Sequence, residues 1–239
     1  MLFFLRKIRK KLMQKNKLTT YLLYAVGEIV LVVIGILIAV SINNWNQRRI
    51  LEAEQKVLLE EVSKAISFDS LLVERTMGWI EETFDVHQQL FEVHSNGLRI
   101  DSVTNIEIIR RGIPFTPLTD DNYPDLASRV LDTKLKKSVR EYFRIMDTWE
   151  FSVENYNIFM EEHMRPFLRD EMLLNFGHNV SADVDFIKTD RLVEKLGEES
   201  FQQMLVEGVI KTNNLKVFYP FFMTRRDSLK IEIQRVLAD

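Results

Sequence analysis

The chain has 239 residues, of which 46% are hydrophobic, and it has no cysteine, which excludes disulfide and thiol chemistry. Residues 43–239 carry 34 acidic against 25 basic side chains, a net charge of −9, whereas residues 1–20 carry seven bases and no acid. Nucleic acid phosphates require a cationic surface, so the acidic composition of residues 43–239 argues against a nucleic acid partner.

Residues 1–20 form a basic, amphipathic segment. Leucine and isoleucine side chains share one side of a predicted helix, and the cations Arg6, Lys7, Arg9, Lys10 and Lys11 lie on the other. Such a helix can bind an anionic membrane surface, at about 1 kcal/mol per cation, or it can act simply as a stop signal for translocation. Cations in short flanks stay in the cytoplasm, so we expect a cytoplasmic N-terminus and an external domain.

Residues 21–42 are apolar except for Glu28 and are long enough to form a transmembrane helix, since about 20 apolar residues cross about 30 Å of hydrocarbon. A cleaved signal peptide is the alternative, and residues 39–41 weakly resemble a cleavage site. However, signal peptides have apolar regions of only about 7–15 residues. We therefore predict a retained membrane anchor, with lipid as one partner and the C-terminal domain outside the cytoplasm.

One face of this predicted span combines small and polar residues. At about 100° per residue, Tyr24, Glu28, Gly35, Ala39 and Asn46 fall on one narrow face. Gly35 and Ala39 would allow two helix backbones to approach closely, and a lone acid in a membrane indicates function. We predict a helix-pairing face for a second copy or for another envelope protein. A protonated or snorkelling Glu28 without a partner is the alternative.

Four short motifs carry a family resemblance. They are FLRKIRKKL at residues 4–12, the acid Glu28, GILIA at residues 35–39 and INNWN at residues 42–46. In these motifs the chain resembles a family of uncharacterised single-pass membrane proteins abundant in Bacteroidota, a domain of unknown function. The resemblance weakens beyond about residue 60. It implies a helical protein anchored in a bacterial cytoplasmic (inner) membrane, with its C-terminal domain in the periplasm, and it brings no reaction or ligand.

A long juxtamembrane helix is predicted over residues 43–96, closed by Gly97. Leucine and alanine recur every seven residues at first, and a second seven-residue row follows one residue out of register. We therefore expect a kink, a break or a rotating face near Ser67–Ser70. Because Gln55 and Asp69 interrupt the apolar positions, any coiled coil here is imperfect. The two rows are Leu51, Leu58, Ala65 and Leu72, then Val73, Ile80, His87 and His94.

Residues 97–239 are predicted to form an external helical domain that packs with the long helix. No period-two pattern typical of strands occurs, so the fold class is all-α, as a bundle. The predicted helices are 101–111, a core helix over 133–168, 190–196, 198–211 and 214–237. Loops separate them, including a proline-containing loop after Gly112 and a loop over 177–189.

The predicted core helix has the most regular pattern of the domain. Its apolar and aromatic residues recur at alternating spacings of four and three, and Pro166 should kink or end it. The expected inward-facing residues are Tyr142, Met146, Trp149, Val153, Tyr156, Met160, His163 and Phe167.

His87 and His94 are candidates for a metal site, but their spacing does not favour one. His87 and His94 are about 10.5 Å apart along a helix, too far to share one ion without ligands from another helix. His163 could meet one of them. Histidines that border an aromatic core are the better interpretation, and no cofactor is expected.

Three classes of function remain. We favour a non-enzymatic interaction or scaffold module, because the sequence has no phosphate-binding loop, nucleophile elbow or zinc motif. A small-ligand-binding, sensor-like periplasmic domain is the alternative, and an enzyme is the third. An interaction module needs an exposed apolar patch, a sensor needs a cavity beside Tyr142–Met160, and an enzyme needs polar groups clustered in a cleft.

Overall fold

The computed structural model describes residues 18–175 and 186–238, and this part of the chain is all-α, as predicted. It contains no strand there, only an isolated antiparallel bridge between Leu174 and Ile187. The helices are α1 (Leu18–Ser95), α2 (Leu118–Asn122), α3 (Leu126–Arg129), α4 (Thr133–Phe159), α5 (Arg165–Asp170), α6 (Thr189–Lys195) and α7 (Glu199–Ala238). Most of the predicted loop 177–189 lies outside the described residues.

The chain divides into two compact units, residues 1–57 and residues 58–239. The division falls inside the predicted juxtamembrane helix and inside α1, a helix of 78 residues. The most apolar 18-residue window of α1 has a mean hydropathy of 2.8, and none of it is buried. The core helix of a soluble protein would be buried, so α1 has the length, composition and exposure of a membrane span or signal anchor.

Within the second unit, α1 buries one continuous row of side chains at alternating spacings of three and four. The helix is unbroken at Ser67–Ser70, so the predicted break is wrong. The predicted change of register is also wrong, since the second row extends back through Ile66 to Leu59, both fully buried. The buried row is Leu59, Val62, Ile66, Asp69, Val73, Thr76, Ile80, Thr83, His87 and Leu90.

Gly97 follows the end of α1 with a φ of 72°, which confirms its predicted role in closing the helix. The predicted helix over 101–111 does not form. Two 3₁₀ turns, Ile100–Ser102 and Ile106–Arg110, take its place. Asn105 lies between them in the left-handed region, at a φ of 53°, and therefore interrupts a regular helix.

The predicted core helix is present, with a change of geometry near its end. The Asp132 side chain caps α4 by accepting the Leu135 N–H at 2.7 Å. A π-helical segment, Met160–Met164, then joins α4 directly to α5. Pro166 lies in the first turn of α5, where a missing N–H is tolerated, so it does not end the helix as predicted.

The π segment corrects two predicted core positions. A π turn accommodates one extra residue, which rotates the following side chains by about 100°. The buried row therefore continues from Met160 to Met164 and Leu168 instead of His163 and Phe167. His163 is exposed and Phe167 is only partly buried.

The two last predicted helices, 198–211 and 214–237, are one continuous helix, α7, with Pro220 inside it. Aromatic side chains fix α7 against α4. The Trp149 ring lies 6.1 Å from Tyr219 and 6.3 Å from Phe222, and Tyr142 lies 5.9 Å from Phe222, all as ring-centroid distances. Tertiary packing therefore outweighs the break that Asn213, Asn214 and Pro220 suggest in the sequence.

Gly208 of α7 faces the His87 ring of α1 at close range. A Cβ added at Gly208 would overlap that ring, whereas one added at Gly78, in the exposed part of α1, would meet nothing within 4 Å. Glycine is therefore required at position 208 by packing and not by backbone conformation.

We expect Gly208→Ala to lower the free energy of unfolding by about 1–3 kcal/mol, because an overpacked helix contact must shift. Gly78→Ala is the matched control and should raise the free energy of unfolding by up to about 1 kcal/mol through helix propensity. Urea unfolding followed by circular dichroism measures both. Equal shifts in the same direction would contradict the packing argument.

Candidate functional site

The predicted helix-pairing face lies on α1 in the first unit. Glu28, Gly35, Ala39 and Asn46 are exposed there, and Tyr24 is partly buried. A Cβ added at Gly35 would meet nothing within 4 Å. The structure therefore leaves this face unpacked by the described residues of its unit. The basic residues Arg6, Lys7, Arg9, Lys10 and Lys11 lie outside the described part of the chain.

In the second unit, the carboxylate of Asp69 is fully buried on α1. One oxygen accepts the Leu118 N–H at 2.7 Å, and the other accepts the Thr119 N–H at 3.0 Å. The Tyr142 hydroxyl donates to the second oxygen at 3.5 Å. Burial, together with the negative charge of Asp69, raises the pKa of the Tyr142 phenol well above its usual value. Asp69 thus holds the start of α2 against α1 and is a structural group.

His87 is fully buried beside Tyr156, with ring centroids 6.3 Å apart in an edge-to-face arrangement. Its Nδ1 lies 2.8 Å from the Thr83 carbonyl oxygen and donates to it. The Nε2 atom and the Tyr156 hydroxyl have no hydrogen-bond partner in the described structure. Burial lowers the pKa of His87 to about 4, so the ring is neutral at pH 7.

His94 and His163 do not join His87. His94 and His163 are both exposed. Among the described residues, no group of three or more His, Cys, Asp or Glu side chains is arranged to hold a metal ion. The structure therefore does not bring the sequence-predicted histidines together.

A surface cleft of about 360 Å³ opens where α1, the turn Ile106–Arg110 with the residues after it, and Arg165 meet. It was not predicted from the sequence. Its lining combines apolar, aromatic and charged side chains: Trp79, Glu82, Ile108, Arg111, Pro114 and Arg165. The volume is in the range of small-molecule sites.

Asn157 of α4 holds Ile113, which lines one wall of the cleft, in place. Its side-chain oxygen accepts the Ile113 N–H at 2.7 Å, and its amide nitrogen donates to the Ile113 carbonyl at 2.9 Å. Gly112 passes so close that an added Cβ would lie 2.8 Å from the Asn157 side-chain oxygen. This double hydrogen bond holds the segment after the 3₁₀ turn in one position.

Arg165 enters the cleft because of the π segment. In an uninterrupted α-helix it would lie opposite the buried face, and the extra residue turns it by about 100° towards the cleft. There its Nε donates to the Arg110 carbonyl at 2.9 Å, and a terminal nitrogen pairs with Glu161. A proline one residue later was the sequence signal nearest to this irregularity.

Comparison with known proteins gives one match. A family model described as a family of unknown function, DUF6090, matches residues 28–113. This range includes Glu28, the buried row of α1 and the segment that lines one side of the cleft. No curated protein and no solved structure matches the chain.

The His87 environment predicts a pH dependence of stability. The pKa is about 4 in the folded chain and 6.5 ordinarily, so the unfolded chain binds the proton more readily between these values. Stability that is present above pH 6.5 should fall by about 3 kcal/mol as the pH decreases to about 4. His87→Leu should lack this pH-dependent loss of stability. The measurement is the difference in urea midpoint between wild type and variant, taken once at pH 7 and once at pH 4.5. The same difference at both pH values would contradict the prediction.

Proposed function

We propose that the protein is a non-enzymatic, single-pass membrane-anchored interaction module of the bacterial envelope, with its helical domain in the periplasm. The observation that carries this proposal is the unburied apolar window of α1, on which the one acid is Glu28. An acid in hydrocarbon is costly unless it hydrogen-bonds to a neighbouring helix. The partner is accordingly a second copy or another envelope protein, and the basic residues before the span contact membrane lipid.

A second surface supports a role in binding. Five exposed apolar residues lie within about 80° of one another on α7, and we name them the α7 apolar row. Their exposed fractions rise from 40% at Val206 to 63% at Ile231. The row consists of Val206, Ile210, Val217, Phe221 and Ile231.

The charged side chains beside the row are few and mostly paired within the unit. Asp227 is exposed, and Glu207, whose side chain is 46% exposed, pairs with Lys211 at 3.2 Å. Three cations of α7 contact side chains of α1 and α4. Lys216 lies 3.9 Å over the Phe84 ring, Arg225 pairs with Glu141 at 2.6 Å and Arg226 pairs with Glu74 at 3.4 Å. Depletion of charge around exposed apolar residues is characteristic of protein interfaces. The α7 apolar row is therefore the proposed partner-binding surface of the external domain.

We expect Glu28→Leu to weaken association within the membrane about ten-fold, because an interhelical hydrogen bond there contributes about 1–2 kcal/mol. The measurement is cross-linking of the tagged full-length protein in native membranes, with identification of the co-purified chains. Val30→Leu, about 200° around the helix, is the control. Recovery of self alone would identify a homo-oligomer, and recovery of another envelope protein an adaptor. An unchanged cross-linked fraction for Glu28→Leu would contradict the role of Glu28.

The α7 apolar row predicts a separate effect in the external domain. Phe221→Lys should reduce cross-linking to the partner at least about ten-fold, since a central apolar contact is replaced by a charge. Phe151→Lys is the matched control, because Phe151 is equally exposed on α4, at 63% against 59% for Phe221, and lies outside the row. Similar losses for both variants would indicate a general solubility effect and contradict the proposed surface.

A further inference from the structure

The cleft between α1 and the turn Ile106–Arg110 is independent of both surfaces described above, and its charges are unlike those of the rest of the domain. Its lining contains two arginines, Arg111 and Arg165, and one acid, Glu82, in a domain that is acidic as a whole. Clefts that concentrate one sign of charge attract the opposite sign. Since Arg165 already pairs with Glu161, Arg111 carries the positive charge that is left to favour an anionic ligand.

The two arginines differ in whether their guanidinium groups already have hydrogen-bond or ion-pair partners. Arg165 is held by the Arg110 carbonyl and by Glu161. Arg111 is exposed, and its guanidinium has no hydrogen bond or ion pair within the described ranges. A guanidinium presents parallel N–H donors that match a carboxylate in a bidentate arrangement. Arg111 is consequently the group available to bind a ligand carboxylate.

Apart from Thr83, the remaining lining is apolar. Trp79 is 44% exposed although it lies on the part of α1 that contributes to the domain core. An exposed indole offers a planar surface for stacking, and Ile108 and Pro114 extend the apolar lining beside it. These residues suit a planar apolar group of modest size.

The cleft is also preorganised. The double hydrogen bond of Asn157 to Ile113 fixes one wall, and the continuous α1 provides the other. A fixed site loses little entropy on binding, which favours small ligands.

We propose that this cleft binds a small monocarboxylate with a planar apolar body. The ligand carboxylate pairs with Arg111, and its ring stacks on Trp79. Glu82 opposes the charge of the ligand and limits its affinity.

The test is a calorimetric titration of the full-length protein in lipid nanodiscs with phenylacetate and, as its neutral counterpart, phenylacetamide. We expect phenylacetate to bind with a Kd below about 1 mM and phenylacetamide to bind at least about ten-fold more weakly. Equal affinity for the two compounds, or no binding of phenylacetate up to about 10 mM, would overturn the proposal.

Three variants assign the binding to named residues. Arg111→Gln should weaken phenylacetate binding at least about ten-fold, and Glu82→Gln should strengthen it about two- to five-fold, because one removes an attraction and the other a repulsion. Arg140→Gln, an exposed arginine of α4 outside the cleft, should leave the Kd unchanged. Wild-type affinity in Arg111→Gln, or equal losses in the Arg111 and Arg140 variants, would refute the site.

A spectroscopic readout separates this site from binding elsewhere. The indole N–H resonance of Trp79 should shift on addition of phenylacetate, whereas that of the fully buried Trp149 should not. Circular dichroism of each variant checks that the fold is retained. A shift confined to resonances other than Trp79 would place the ligand elsewhere and overturn the assignment.

Discussion

The helical unit depends on the aromatic contact between α4 and α7. Trp149 is fully buried and packs against side chains from two other parts of the chain, Phe115 of the proline-containing segment and the aromatic residues of α7. Aromatic side chains of this size contribute most of the apolar area that a small helical domain can bury. Once α4 and α7 are paired, the row on α1 completes the core. Its polar members are tolerated because Asp69, Thr83 and His87 find backbone partners.

The buried polar atoms of this core differ in whether they have hydrogen-bond partners. Asp69 satisfies two backbone donors, which makes a buried charge acceptable. In contrast, His87 Nε2, Tyr156 Oη and Trp149 Nε1 are buried without a partner in the described structure. Each leaves a desolvation penalty of about 1–3 kcal/mol uncompensated. The His87 and Tyr156 rings are neighbours, so two of these atoms belong to one contact between α1 and α4.

The sequence was sufficient for the fold class, the extent of α1 and most of the core helix, because these depend on repeated local patterns. Prediction from the sequence failed where a residue's role depends on a contact with a distant part of the chain. Asp69 was interpreted as a defect in the α1 row, since its backbone partners lie about 50 residues away along the chain. His163 was placed in the core because the spacing of four and three does not include a π segment. Asn213, Asn214 and Pro220 suggested a boundary that packing against α4 removes.

The cleft could not have been anticipated from any motif, since its residues come from three distant segments. Hydropathy does not distinguish Trp79 from a core residue, and Arg111 is the last residue of a predicted helix that the structure replaces with 3₁₀ turns. By comparison, the face that contains Glu28 was visible in the sequence, because all of its members lie on one helix at a regular spacing.

The π segment has a consequence for chain length. The π segment contains one residue more than an α-helical segment of the same span. The rotation of α5 therefore depends on the number of residues in the segment and not on their types. A relative that is one residue shorter here would retain the α4–α7 packing, because those contacts lie before the segment. It would nevertheless turn Arg165 away from the Arg110 carbonyl. Because Met164 and Leu168 continue the buried row after Met160, such a deletion would also rotate them away from the core, so the cleft and the end of the core depend on the same extra residue.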